Sequence, residues 1–174
     1  MKMFAKFVPA LAVALVLPLS AAAEPLPKPI ADLECLVGAW KGGGKVTIGK
    51  DKGTLGATWT CKRTSAKFGV LCTLRVTGVP GVPVYEETDL MGYEPNTKTY
   101  HWYSVTNAGE THDHVARAPA GNTVEFVFNG TQEGKPFKEV IVMSFSNDAK
   151  AVSARAETFL AGASTSVFEL AMRK

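Results

Sequence analysis

The sequence predicts an all-β fold, an antiparallel up-and-down barrel of about ten strands with a short N-terminal helix. Apolar and polar residues alternate with a period of two from Trp40 to Arg173, which is typical of strands with one buried face. Turn signals such as Asn129-Gly130 and Asn147-Asp148 separate the alternating runs. A closed barrel is favoured because closure removes the exposed edges that an open antiparallel sheet must protect. A two-layer sandwich is the alternative.

The elements follow in order along one predicted domain at 31–174. Residues 24–30 contain three prolines and are expected to form an extended leader. Residues 31–37 can form one or two helical turns. The strands are expected near 39–48, 53–63, 69–77, 83–93, 98–106, 110–117, 122–129, 136–146, 150–159 and 164–173.

Residues 1–23 have the organisation of a secretory signal peptide. Lys2 and Lys6 precede an apolar run at 7–19, and Ala21-Ala22-Ala23 supplies the small residues that a signal peptidase accepts. The apolar run is shorter than the roughly 20 residues that span a bilayer, so we expect no stable membrane anchor. The protein is predicted to be exported, either periplasmic or secreted.

Composition limits the classes of partner. The 174 residues are 46% hydrophobic and 20% charged, as in a single globular domain. The formal net charge of +3 is not clustered, so no nucleic-acid partner is expected. The sequence leaves the oligomeric state open.

Export changes the interpretation of the three cysteines, because oxidising compartments favour disulfides. Cys61 and Cys72 flank a candidate hairpin, and a turn centred on residues 66–67 places them opposite each other, close enough to bond. A disulfide between Cys35 and either of them is the alternative.

Two short segments carry a family resemblance. Leu36-Val37-Gly38-Ala39-Trp40-Lys41-Gly42-Gly43-Gly44 resembles the opening of calycin-type barrels, which include the lipocalins and the nitrobindin-like haem proteins. Leu90-Met91-Gly92-Tyr93-Glu94-Pro95 resembles the strand and turn of an uncharacterised family of secreted bacterial lipocalin-like domains.

The resemblance implies two structural features. In calycins a basic residue of the last strand packs across the conserved tryptophan, which implies a cation–π contact of Arg173 with Trp40. Nitrobindin-like proteins carry their haem-ligating histidine near the C-terminus, and residues 167–174 contain no histidine. This difference argues against haem ligation in the manner of that family.

The three histidines lie close together in sequence, at His101, His112 and His114. His112 and His114 share one face of a strand, and imidazoles are common metal ligands. A two-residue turn would place His101 opposite His114 and complete a three-histidine metal site. A three-residue turn at Asn107-Ala108-Gly109, which suits these residues better, would place His101 on the other face.

A carboxylate and several aromatic residues complete the candidate site. Glu139 shares a strand face with Phe137 and Ile141, so it is either a buried carboxylate or a rim residue that reaches water. The candidate ligand-binding residues are Trp59, Trp102, Tyr103, His112, His114, Phe126, Phe128 and Glu139.

The sequence supports two functional hypotheses. The first is an exported, non-catalytic barrel that binds a small apolar or amphipathic ligand. The alternative is a metal- or haem-binding protein, with hydrolysis as one activity, built around His112 and His114. Neither a G-x-S-x-G nor an H-E-x-x-H motif occurs in the sequence, so no residue is assigned a catalytic role. The identity of any cofactor stays open.

Overall fold

The protein folds as a closed barrel of ten antiparallel strands, in which each strand pairs with the next and the last pairs with the first. The computed structural model describes residues 26–65, 67–117 and 119–174. The barrel confirms the predicted fold class, and the alternative of a two-layer sandwich is wrong. The predicted signal peptide lies outside the described residues.

The elements match the predicted order closely. Helix α1 (Lys28–Asp32) and a 3-10 helix (Leu33–Leu36) come first, and we call residues 28–36 the cap. The strands are β1 (Gly38–Ile48), β2 (Asp51–Arg63), β3 (Gly69–Thr77), β4 (Tyr85–Glu94), β5 (Thr99–Thr106), β6 (Thr111–Ala116), β7 (Thr123–Gln132), β8 (Lys135–Phe145), β9 (Ala151–Leu160) and β10 (Ala163–Arg173).

The cap begins earlier than the sequence suggested. Residues 28–30, expected to be extended, form the first turn of α1. Pro27 is the N-cap and Pro29 lies in that first turn, where backbone N–H groups have no partner within the helix. Proline therefore starts this helix instead of preventing it.

The β2–β3 hairpin has the predicted register. Cys61 pairs with Cys72 and Trp59 with Leu74. Cys61 and Cys72 form a disulfide with a Cα–Cα distance of 4.1 Å, and Cys35 is free. This confirms the predicted pairing.

A disulfide of this kind is typical of an oxidising, exported environment. Among the described residues, no helix combines the length and apolar character that crossing a membrane requires.

The β5–β6 hairpin has the three-residue turn. Gly109 has a φ of 83°, which a residue without Cβ adopts readily. Trp102 consequently pairs with His114, and Ser104 pairs with His112. His101 pairs with Val115 on the outer face, so the three-histidine arrangement is wrong.

Three tryptophans run through the core. The ring centroids of Trp40 and Trp59 are 6.5 Å apart, and those of Trp59 and Trp102 are 6.1 Å apart. All three side chains are buried. The Nε1–H of Trp40 donates to the carbonyl of Leu36 at 2.8 Å, which joins the core to the cap.

The cation over Trp40 is Lys174, and the assignment of Arg173 is wrong. Nζ of Lys174 lies 4.6 Å from the Trp40 ring centroid. Met172 is buried, so Arg173, the next residue on β10, faces solvent. The residue after it returns to the inner side and makes the cation–π contact.

Candidate functional site

A cleft of about 760 Å³ lies between the cap and one side of the barrel. Its volume is within the range of small-molecule sites. Side chains from the interior form its floor, among them Met91, Tyr100, Phe126 and Met143. Leu33 of the cap also lines it. The cleft is therefore apolar inside and bounded by the cap.

The cap is attached to the opposite side of the barrel. Arg63, at the end of β2, donates from Nε to Glu34 at 2.8 Å and from Nη1 to the carbonyl of Ile30 at 3.0 Å. Nζ of Lys174 donates to the carbonyl of Cys35 at 3.0 Å. Together with the hydrogen bond from Trp40 to Leu36, these contacts come from β1, β2 and the residue after β10. Strands β4, β5, β7 and β8 line the cleft. These hydrogen bonds lie on the side of the barrel away from the cleft, and α1 also contacts β4.

The rim of the cleft is polar. Lys28 and Asp32 form a salt bridge at 2.7 Å on the cap. Lys98, in the turn between β4 and β5, and Asn122, just before β7, also line the cleft. The rim thus offers charge and hydrogen bonding above an apolar floor.

A second cluster lies inside the barrel and joins His112, His114 and Glu139. Nδ1 of His112 lies 3.1 Å from Oε2 of Glu139, and Nε2 of His114 lies 2.8 Å from the same oxygen. The Glu139 side chain is 18% exposed, so the carboxylate is largely buried and does not extend into water at the rim. Burial alone would raise the pKa of Glu139, but the hydrogen bonds to His112 and His114 lower it to about 2.

Aromatic side chains hold the two imidazoles. The His112 ring stacks on Phe128, with centroids 4.1 Å apart and planes at 15°. The His114 ring lies 5.9 Å from Trp102. Nδ1 of His114 is buried and has no hydrogen-bond partner among the described residues. We therefore place the His114 proton on Nε2, where it is donated to Glu139.

A third polar group was missed by the sequence reasoning. Asp89 is fully buried and accepts hydrogen bonds from Nε1 of Trp59 at 3.1 Å and Nε1 of Trp102 at 2.8 Å. Burial raises the pKa of Asp89, although hydrogen bonds from Glu87 and the two indoles oppose the rise. The signal that could have found it was that Asp89 shares a strand face with Met91.

Glu87 lies on the same inner face of β4 as Asp89. It accepts a hydrogen bond from the hydroxyl of Tyr85 at 3.0 Å. Burial raises the pKa of Glu87 well above its usual value, and the nearby Asp89 carboxylate raises it further. Burial and the neighbouring carboxylate therefore both favour the protonated form of Glu87.

The structure separates the predicted ligand-binding residues into three places. His112, His114, Phe128 and Glu139 form one cluster, Trp59 and Trp102 bind Asp89, and Phe126 lines the cleft. Tyr103 is wrong as a lumen residue, because it follows the inward-facing Trp102 and is 47% exposed.

His101 is wrong as a metal ligand beside His112 and His114. Its Nδ1 lies 3.0 Å from Asp113, in a pair on the outer face of the barrel. Asp113 is thus separated from the two inner imidazoles, as the alternation of the strand requires.

The residues present do not fit haem in the mode that the family resemblance implies. The inner face of β10 carries Phe168, Leu170 and Met172, none of which is an imidazole. The two interior histidines both bind Glu139, and Phe128 covers one face of His112. Neither imidazole therefore stands where that family places its haem ligand.

No protein-family model and no curated protein matches the chain. Among solved structures, it is similar to the crystal structure of Rv2717c from M. tuberculosis, with a TM-score of 0.61 and 14% sequence identity. The alignment covers 86% of this chain and 99% of that chain. At this identity the likeness shows the fold alone, so the comparison establishes that this chain shares its barrel fold with Rv2717c.

Proposed function

We propose that the protein is an exported, calycin-like barrel that binds a small apolar or amphipathic molecule in the cleft beside the cap. The observation that carries the proposal is an apolar cleft of about 760 Å³ at the end of a closed barrel. Known ligand sites have this size and combine apolar walls with a few polar groups.

The lining favours a mainly apolar occupant. Met91, Phe126 and Met143 are buried at the floor, so a ligand that contacts them leaves water. Burial of apolar surface contributes about 25 cal/mol per Å². The thioethers of the two methionines adapt to different ligand shapes. The site is therefore better suited to a class of molecules than to one rigid compound.

The rim favours a polar group at one end of that occupant. Lys98 and the Lys28–Asp32 pair border the opening, where a headgroup keeps its contact with water. Such an arrangement orients an amphipathic molecule with its apolar part inward. No chemical step is required of any residue in the cleft, so we propose binding without catalysis.

The route of entry lies beside the β6–β7 seam. Within the described parts of the chain, these strands pair at one position, Val115 with Val127. Pro119 and Gly121 of the connection between them line the cleft. A weakly paired seam can widen locally at small cost, because few ladder hydrogen bonds are lost.

Export is supported by two features. The signal-peptide pattern at residues 1–23 predicts secretion, and the Cys61–Cys72 disulfide is typical of an oxidising compartment. Binding in such a compartment would serve capture or transport of a ligand outside the cytoplasm.

The test is to fill the cleft. Val124 lines it on the inner face of β7, so Val124→Trp should occupy the space that a ligand needs. We expect the wild-type protein to enhance the fluorescence of anilinonaphthalene sulfonate, and decanol or decanoate to displace the dye. Val124→Trp should weaken dye binding about tenfold or more.

A matched control lies on the outer face of β5, away from the β6–β7 seam. Val105→Trp introduces the same side chain at an exposed position outside the cleft and should leave dye binding unchanged. Circular dichroism checks that both variants fold. Equal binding by Val124→Trp and wild type, or no saturable binding by wild type, would overturn the proposal.

A further inference from the structure

We propose that His112, His114 and Glu139 form a binding site for a divalent first-row transition-metal ion inside the barrel. The site goes beyond the proposed ligand-binding function, because none of the three residues lines the cleft. Two imidazoles and one carboxylate converge from β6 and β8 on either side of β7. Zinc is the probe ion.

The distances suit an ion of this kind. The ligating atoms lie within 4.8 Å of one another, and Oε2 of Glu139 is 3.1 Å from His112 Nδ1 and 2.8 Å from His114 Nε2. Two ligands at about 2.1 Å from an ion have these separations when their bonds meet at roughly 85 to 95°. At a tetrahedral angle two such ligands lie about 3.4 Å apart, so the most distant pair, which lies within 4.8 Å, must approach by up to about 1.4 Å through side-chain rotation.

The donor set selects the class of ion. Imidazole nitrogen suits zinc, copper, nickel and iron, whereas calcium and magnesium prefer all-oxygen sites. Three protein ligands leave a coordination position for water or an exogenous molecule. The three side chains therefore have the composition of an open site for a transition metal.

The surrounding aromatic residues preorganise the ligands. Phe128 stacks on His112, and Phe137 lies 5.6 Å from the same ring. Trp102 packs against His114. Ligands held in fixed rotamers lose little conformational entropy on binding an ion. The converging geometry is thus already present without the ion.

Binding an ion rearranges the imidazole protons. The ion takes the place of the two N–H groups that face Glu139, and each proton must leave or move to the other nitrogen of its ring. Nδ1 of His114 has no acceptor in the described part of the chain. An N–H left unpaired there lowers the affinity. We therefore expect a dissociation constant on the order of micromolar, weaker than a closed structural zinc site.

The experiment is equilibrium dialysis of the EDTA-treated protein against zinc, followed by cobalt substitution. We expect one zinc ion per chain and a visible cobalt absorption band typical of a low-coordinate nitrogen and oxygen site. Glu139→Gln and His112→Ala should each weaken zinc binding at least tenfold.

The matched control is His101→Ala. It removes the same type of side chain from the outer face of the adjacent strand and should leave zinc binding unchanged. Val124→Trp, which blocks the cleft, should also bind zinc normally, so failure of the cleft proposal and failure of the metal proposal are distinguishable.

A spectroscopic measurement on the wild-type chain needs no variant. Copper bound at His114 lies near Trp102 and should quench its fluorescence in a saturable manner that zinc competes away. Absence of stoichiometric zinc binding by wild type would overturn the proposal. So would a Glu139→Gln protein that folds and binds zinc as tightly as wild type.

Discussion

At the scale of single residues, three acidic side chains of the barrel interior are accommodated in different ways. Glu139 is ionised and bonds to two imidazoles. Asp89 accepts two indole hydrogen bonds. At Glu87 the protonated form is favoured, because burial and the neighbouring Asp89 disfavour the charged form. In each case hydrogen bonds or protonation therefore offset the desolvation free energy of the buried carboxyl group.

The Glu87 arrangement predicts a pH-dependent stability. Its pKa in the folded protein is raised above the ordinary value of 4.5, so folding takes up a proton at higher pH. The contribution of protonated Glu87 to the free energy of unfolding is fully present below that ordinary pKa. It is lost as the pH rises towards the pKa of Glu87 in the folded protein. Glu87→Gln keeps the shape without the ionisation, and should be more stable than wild type by on the order of 1 kcal/mol at about pH 7.5.

Urea unfolding at about pH 5 and about pH 7.5 checks this prediction. The gain from Glu87→Gln should shrink at the lower pH. Glu86→Gln, on the outer face beside Arg75, is the control and should show no such gain. Parallel pH profiles for wild type and Glu87→Gln would contradict it.

At the scale of elements, the strands and two hairpin registers could be predicted because alternation and turn chemistry are local. Cys61 opposite Cys72 and Trp102 opposite His114 both follow from the length of a turn. Local patterns also explain the errors. Successive residues of a strand face opposite sides, so Trp102 and Tyr103 cannot both face inward. For the same reason Arg173 faces outward, and the next residue, Lys174, makes the contact with Trp40.

The candidate site could be predicted only in part. His112 and His114 share a face by local geometry, but their bonds to Glu139 join β6 to β8 across β7. The two indoles that meet at Asp89 come from β2 and β5. The cleft depends on where the cap is attached. These contacts depend on curvature and closure of the sheet, which no local pattern specifies.

The β6–β7 seam predicts uneven protection of the backbone. In the described residues it has one paired position, whereas β1 and β2 pair continuously from Gly38–Cys61 to Ile48–Asp51. Fewer ladder hydrogen bonds permit local opening at lower free energy. Amide hydrogen exchange followed by mass spectrometry should label the facing edges of β6 and β7 faster than β1 and β2, and equal protection would contradict this expectation.

At the scale of the whole molecule, the disulfide and the cap hold the end of the barrel where the chain enters it. The disulfide joins β2 to β3, and Arg63 of β2 holds the cap through Glu34 and Ile30. A crosslink with a sequence separation of 11 restricts the unfolded chain more than the folded one. The stability of the complete barrel is therefore coupled to its oxidation state.

Thermal unfolding with and without reductant checks this coupling. For a loop of this length, loss of the crosslink should cost about 2 to 3 kcal/mol. The corresponding decrease in Tm is about 5 to 10 °C. A Cys61→Ala/Cys72→Ala protein should match reduced wild type, whereas Cys35→Ala should unfold like the oxidised protein. An unchanged Tm after verified reduction would contradict the prediction.

Pairing of β1 with β10 makes the strand order a ring, and a ring has no intrinsic first member. The fold therefore does not depend on which strand comes first in the chain. A circular permutant that links the residue after β10 to the cap and opens at the exposed Ala161-Gly162 turn retains every strand pair. New N- and C-termini would then lie at the opposite mouth, away from the cleft, where a reporter domain can be fused without obstructing it.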